Sequence, residues 1–156
     1  MIELSIPGRG DLTLRHIVFD VNGTLAVDGV LAPGVAERIA ALAGQLEIHL
    51  LTADTHGGQA AIDAELGLTA ERVQRGQERE QKGAFVERLG ADRVVAVGNG
   101  GNDAGMLRAA AVGIAVLGAE GLNVEALQAA DVVAASALDA LDLLLKPKRL
   151  VGTLRR

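Results

Sequence analysis

The chain has 156 residues, a formal charge of −5 from 15 Lys+Arg and 20 Asp+Glu, no cysteine, and two aromatic residues, Phe19 and Phe85. An acidic chain without aromatic platforms is poorly suited to hold a phosphate backbone or stacked bases, so no nucleic-acid partner is expected. Without thiols there is no disulfide framework, cysteine nucleophile or thiolate metal site; with no long apolar run and no leader-like start, the expectation is a cytoplasmic protein without a membrane segment.

In chain order, "MIELSIPGRGDLTL" gives two alternating runs around Pro7-Gly8-Arg9-Gly10, which predicts a small hairpin over residues 1–16. Ile17 to Asp20 follows as the first core strand. "LAPGVAERIAALAG" predicts a helix between Pro33 and Gly44, with Val35, Ile39 and Leu42 on one face. "LEIHLLT" is the second core strand and "QAAIDAELG" a helix. "RVQ" is a weak third strand. "EREQKGAFVERLG" is a helix with Phe85, Val86 and Leu89 inward. "RVVAVG" is a strong fourth strand, and "NDAGMLRAAA" a helix opening on its Asn-Asp pair. "VGIAVL", "NVEALQAA", "DVVA" and "SALDALDLLL" complete the alternation, with Ser136 as the last cap. "KPKRLVGTLRR", residues 146–156, reads as a solvated basic tail.

Apolar strands alternating with helices predict an α/β fold with a central, mainly parallel sheet between two helical layers. The whole of 1–156 reads as one domain. In such sheets ligands bind beyond the carboxyl ends of the strands. The polar residues there are Asp20 and Asn22, then Thr52 and Asp54, then Gly98 to Asp103. Lys82 lies early in the helix before the fourth strand. "GNGGND" lacks the third glycine of a dinucleotide loop and follows the fourth strand, not the first.

"DVNGTL", "LLTAD", "QKGAF" and "VGNGGNDAGM" together resemble the four motifs of the haloacid dehalogenase-like (HAD) superfamily, over Ile17 to about Ala134. The first and last of these are more closely similar to small soluble relatives of the phosphorylation domain of P-type ATPases. The resemblance implies a three-layer, Rossmann-like α/β/α fold and a Mg²⁺-dependent phosphatase or phosphotransferase. Asp20 would be the nucleophile and would become an aspartyl phosphate. Gly23, Thr24, Thr52, Ala53, Lys82 and Asn102 would surround the phosphoryl group, with Thr52 donating a hydrogen bond and Lys82 neutralising charge. Mg²⁺ would be held by Asp20, the carbonyl of Asn22, and the loop of Asn99 and Asp103, with Asn102 and Asp103 completing or supporting that loop.

Two positions depart from the family's pattern. Phosphatases of the superfamily usually carry an aspartate at the position of Asn22, where it protonates the leaving group and then activates water. An amide does neither near neutral pH, and general acid–base catalysis is worth about 10²- to 10⁴-fold. Slow turnover of ordinary phosphomonoesters is therefore expected, with acyl or aryl phosphates less affected. Asn99 stands where a carboxylate usually ligates the metal, so weaker Mg²⁺ binding is expected.

No segment is long enough for a separate cap domain. "AVDGVLAPG" reads as a short flap hairpin with its turn at Asp28-Gly29. Capless members act on large substrates or use a neighbouring subunit as a lid, so a homo-oligomer is conceivable, with the basic tail reaching a neighbour's site. His16 and His49 read as surface or packing residues, and His56 as a loop residue. The competing reading is a regulatory or phosphate-binding protein that kept the fold after losing its acid. Retention of Thr52, Lys82 and Asp103 favours phosphate chemistry.

Overall fold

A computed structural model describes residues 1–53 and 57–156. Asp54 and His56, singled out above, lie outside the described residues. β1 (Ile2–Ile6) and β2 (Gly10–Leu14) pair antiparallel as the expected hairpin. The central sheet has six strands in the order β10-β9-β8-β3-β6-β7, and every pairing in it is parallel. These are β3 (His16–Asp20), β6 (Glu47–Thr52), β7 (Glu71–Arg72), β8 (Val94–Gly98), β9 (Val112–Val116) and β10 (Val132–Ala134). β7 sits one residue ahead of the expected "RVQ" strand and is only two residues long, as an exposed edge tolerates.

The strand alternation splits the core into two layers. Ile17, Phe19 and Val21 face one side, with Leu50, Val95, Val97 and Ile114. The hairpin, α1 (Val35–Leu42), α2 (Gln59–Leu66), α6 (Ala137–Leu145) and α7 (Pro147–Leu154) cover that side. Val18, Leu51 and Ala96 face the other, under α3 (Glu78–Leu89), α4 (Ala104–Ala109) and α5 (Val124–Ala129). β8 and β9 are buried along their whole length, which is why their sequences read as continuous apolar runs.

β4 (Ala26–Val27) and β5 (Val30–Leu31) form the expected flap hairpin. Its turn needs positive φ at both central residues, and Asp28 (φ 53°) and Gly29 (φ 78°) supply it. The strand order reverses at the β3–β8 pair, with β6 and β7 added on one side and β9 and β10 on the other, so the crevice at this switch point opens beside Asp20 and Gly98.

The C-terminal segment corrects one expectation. Residues 147–154 are not a solvated tail: they form α7, which starts on Pro147, packs on β1 and buries Leu150 and Leu154. Lys146, Lys148, Arg149, Arg155 and Arg156 remain exposed. The reason is amphipathic spacing: two leucines four apart make a short apolar stripe that the surrounding basic residues obscure in composition. Leu150→Ala should cost about 2–5 kcal/mol of stability in urea melts, whereas Lys148→Ala should change stability by less than about 0.5 kcal/mol.

Candidate active site

Asp20 ends β3, a strand held on both sides by β6 and β8. Backbone rigidity therefore fixes where its carboxylate points. Alternation turns it to the α3 side of the sheet, and there Lys82 Nζ donates to Asp20 Oδ1 at 2.7 Å. The same ammonium donates to Asp103 Oδ1, also at 2.7 Å. Lys82 and Asp103 are fully buried, and Asp20 is only 6% exposed. One fully buried cation is thus shared by a buried carboxylate, Asp103, and one at the cleft wall, Asp20.

Asp103 Oδ2 accepts the backbone N–H groups of Asn99 and Gly100, both at 2.9 Å. This closes the loop after β8 over its own carboxylate. A Cβ on Gly98 would lie 2.6 Å from that carboxylate, so only glycine fits. Asn102 and Asp103 form a 3-10 turn, Gly101–Asp103, and α4 begins after them at Ala104 instead of on the pair itself.

The hydroxyl of Thr24 lies 3.2 Å from both Asp20 Oδ2 and Asn99 Oδ1, which its single proton serves in turn. Asn22 Nδ2 donates to Thr52 Oγ1 at 3.1 Å. The exposed Asn22 amide thereby covers a fully buried hydroxyl. An open cleft of about 1120 Å³ lies outside this cluster, lined by Asp20, Asn22, Gly23, Ala53, Asn99 and Asn102, with Asp28 and Gly29 of the flap at its rim.

The expected residues therefore converge, but in two tiers. Asp20, Asn22, Gly23, Ala53, Asn99 and Asn102 face the cleft. Thr24, Thr52, Lys82 and Asp103 stand behind them. Asp103, expected among the metal ligands, has both oxygens engaged by protein donors and no exposed surface. Its position is that of a support for the loop and for Lys82.

The residues that front the cleft fit a hard divalent ion. Asp20 Oδ2 and Asn99 Oδ1 meet at one hydroxyl beside the cleft that Asn22 also lines. This is an all-oxygen set. Glu120 is an acid the sequence reading missed. Its carboxylate lies against Gly23, close to the amide of Asn99, and lines the same cleft. It comes from the turn after β9, where Gly118 bridges Gly121; nothing in the local sequence marks that turn as reaching across the sheet. Arg79 of α3 further braces the loop, donating to the carbonyl of Gly101 at 3.0 Å and pairing with Glu125.

Burial pushes the Asp20 carboxyl up to about 7 from its ordinary 3.8. Repulsion from Asp103 adds to the rise, and Lys82 and Thr24 oppose it. Burial alone would pull Lys82 down, but Asp20 and Asp103 more than reverse this and hold its ammonium above the ordinary lysine value.

No family model matches the chain. It is 36% identical, over 92 residues, to an uncharacterised protein of Methanocaldococcus jannaschii, covering 56% of this chain and 99% of that one. It is 41% identical over 112 residues to the probable cation-transporting ATPase G of Mycobacterium tuberculosis, covering 70% of this chain and 14% of the ATPase. Among solved structures, a zinc-transporting PIB-type ATPase in the E2.Pi state superposes with a TM-score of 0.63 at 31% identity, covering 79% of this chain and 20% of the transporter. A protein of Streptomyces avermitilis described as a HAD-family hydrolase gives a TM-score of 0.69 at 21% identity over 87% of each chain. The 3-deoxy-D-manno-octulosonate 8-phosphate phosphatase of Moraxella catarrhalis, solved with magnesium and phosphate, gives 0.68 at 17% identity, covering 91% of this chain and 94% of that one. The chain spans about one seventh of the mycobacterial ATPase it matches. The fold and these matches define an α/β protein with an aspartate at the sheet's switch point. The chain belongs to the haloacid dehalogenase-like superfamily.

Two consequences follow for stability. Asp20 has a folded pKa above its unfolded value, so its contribution is full below about pH 4 and is lost as pH rises through about 7. In metal-free buffer, Asp20→Asn should remove that loss and raise stability at pH 8 by on the order of a few kcal/mol, read from urea melts at pH 5 and pH 8. Lys82→Met should do the reverse, costing about 3–5 kcal/mol at pH 8, because it leaves two buried carboxylates without their cation.

Proposed function

We propose that the protein transfers phosphoryl groups from small phosphorylated compounds through an aspartyl phosphate on Asp20, with Mg²⁺ as cofactor. The observation that carries this reading is the buried Lys82 bridge between Asp20 and Asp103 directly behind an open cleft. A buried ammonium between two carboxylates is costly to assemble for structure alone. It is well placed to keep Asp20 aimed and to offset the negative charge that a phosphoryl group brings. The phosphatase of similar fold, solved with magnesium and phosphate, supports the same substrate class and metal.

In the first step the Asp20 carboxylate forms a bond to phosphorus as the bond from phosphorus to the leaving oxygen breaks, and the electron pair departs with that oxygen. Positioning and charge neutralisation dominate such transfers. Gly23 and Ala53 line the cleft beside Asp20; the Gly23 N–H is held by the Ala26 carbonyl at 2.7 Å and so shapes the turn, which leaves the Ala53 main chain to meet an equatorial oxygen. Thr52 joins it once Asn22 releases its hydroxyl. Asn102, on the loop held by Asp103, sits at the opposite rim. Mg²⁺, held by Asp20, the carbonyl of Asn22 and Asn99, would supply Lewis-acid neutralisation of the phosphoryl oxygens. In the second step a water oxygen forms a bond to phosphorus as the bond from phosphorus to the Asp20 oxygen breaks, the electron pair returns to the Asp20 carboxylate, and the water's proton passes to the departing phosphate or to solvent.

Asn22 cannot protonate an alkoxide leaving group or take a proton from water. Turnover is therefore slow on ordinary phosphomonoesters and less impaired on acyl phosphates, whose leaving carboxylate needs no proton. A cytoplasmic setting suits this chemistry. Among the described residues no helix is long and apolar enough to cross a membrane. The competing reading is a phosphate-binding regulatory protein without turnover. It draws on Asn22 and on Asn99, which brings an amide oxygen in place of a charged ligand.

Wild type should hydrolyse acetyl phosphate only with Mg²⁺, and Asp20→Ala should abolish it. Equal rates with and without metal, or in both proteins, would leave the regulatory reading. Asn22→Asp should raise phosphomonoester turnover by about 10²- to 10⁴-fold with little change on acetyl phosphate. Asn99→Asp should lower the Mg²⁺ concentration needed for half-maximal activity.

A further inference from the structure

At the opposite end of the same two strands, three metal-ligating side chains converge. His16 opens β3 and Glu47 opens β6, and the two are direct partners in the parallel register. His49 follows Glu47 by two positions and so shares its face. His16 Nδ1 lies 3.2 Å from His49 Nε2 and 3.3 Å from Glu47 Oε2. His49 Nε2 lies 3.8 Å from Glu47 Oε1. Among the described residues this is the one set of three such side chains whose donor atoms gather this closely.

We propose that His16, Glu47 and His49 bind a borderline divalent transition-metal ion, Zn²⁺ in the first instance. The spacing is the argument. With zinc–ligand bonds of about 2.0–2.1 Å, the edge of a tetrahedral site is about 3.3–3.4 Å; the two ring nitrogens (3.2 Å apart) and the His16 Nδ1–Glu47 Oε2 pair (3.3 Å) stand at that spacing, and His49 faces the other carboxylate oxygen at 3.8 Å, within reach of a small rotation of the exposed Glu47 side chain. A His16–His49 hydrogen bond engages one proton and one lone pair, and it gives a carboxylate reason to face the nitrogen bearing the proton. Here the carboxylate faces both nitrogens, as a shared cation requires. Two imidazoles and one carboxylate favour zinc-like ions over the hard ions suited to the oxygen set at the other end of the sheet.

The surroundings suit a bound ion. The imidazoles are mostly buried, with 18% and 14% of their side-chain surface exposed, while Glu47 is 68% exposed, so ions have an open path and a fourth position can face water. Phe85 of α3 packs edge-on against His49 with ring centroids 5.5 Å apart, and Arg88 lies over Phe85. This fixes one ring. The site lies four residues from Asp20 along β3, about 13 Å away. It stands independently of the phosphoryl-transfer reading.

The test is a Co²⁺ titration of the full chain in excess Mg²⁺, followed by visible absorption, with Zn²⁺ as displacing ion. One Co²⁺ per chain with the intense bands of a tetrahedral site, displaced by Zn²⁺, is expected. His16→Gln and His49→Gln should weaken binding by more than the about 10- to 100-fold typical of losing a supporting residue. Glu47→Gln, on an exposed side chain that leaves the fold intact, should weaken it too. Asp20→Asn should leave it unchanged. Absence of the bands, bands indifferent to His16→Gln and Glu47→Gln, or bands lost in Asp20→Asn would overturn the proposal.

Discussion

One buried ammonium organises the candidate site. Lys82 holds Asp20 on one side and Asp103 on the other, and each carboxylate is the end of a separate structural argument. Asp20 terminates the central strand of a parallel sheet, and Asp103 closes the loop after the neighbouring strand. The glycine at position 98 exists because that carboxylate must lie against the backbone. α3 is fixed by Phe85 and Val86 in the layer beneath it, and this packing sets where Lys82 emerges. Removing the ammonium would therefore disturb three elements at once.

The electrostatics follow from the same arrangement. Two carboxylates share one buried cation, so the metal-free cluster carries more negative charge than it can compensate. Burial raises Asp20, and repulsion from Asp103 adds to the rise. A divalent cation at the cleft would supply the missing positive charge and return Asp20 to its nucleophilic form. Cation binding and carboxylate ionisation are linked in such a site. The metal-free state holds a carboxyl poised near neutrality, and stability there is the sacrifice for chemistry.

Much of this was legible in the sequence. Continuous apolar strands, glycine stops and helical spacing marked nearly every element. The polar residues at strand ends marked the edge where Asp20, Thr52 and the Gly98–Asp103 loop gather. What escaped was governed by contacts between distant segments. α7 was obscured because its two buried leucines sit among basic residues. The position of Asp103 in its motif does not reveal that backbone donors engage it. Glu120 reaches the cleft from a turn with no local signature. His16 and His49 read as surface or packing residues because only strand register brings them together with Glu47.

The most direct test is to trap the phosphoenzyme. The protein would be incubated with ³²P-labelled acetyl phosphate and Mg²⁺, quenched in acid, digested and mapped. The account predicts a hydroxylamine-sensitive label on the peptide containing Asp20, absent from Asp20→Ala. A label on another residue, or none under conditions where acetyl phosphate is consumed in an Asp20-dependent manner, would contradict it.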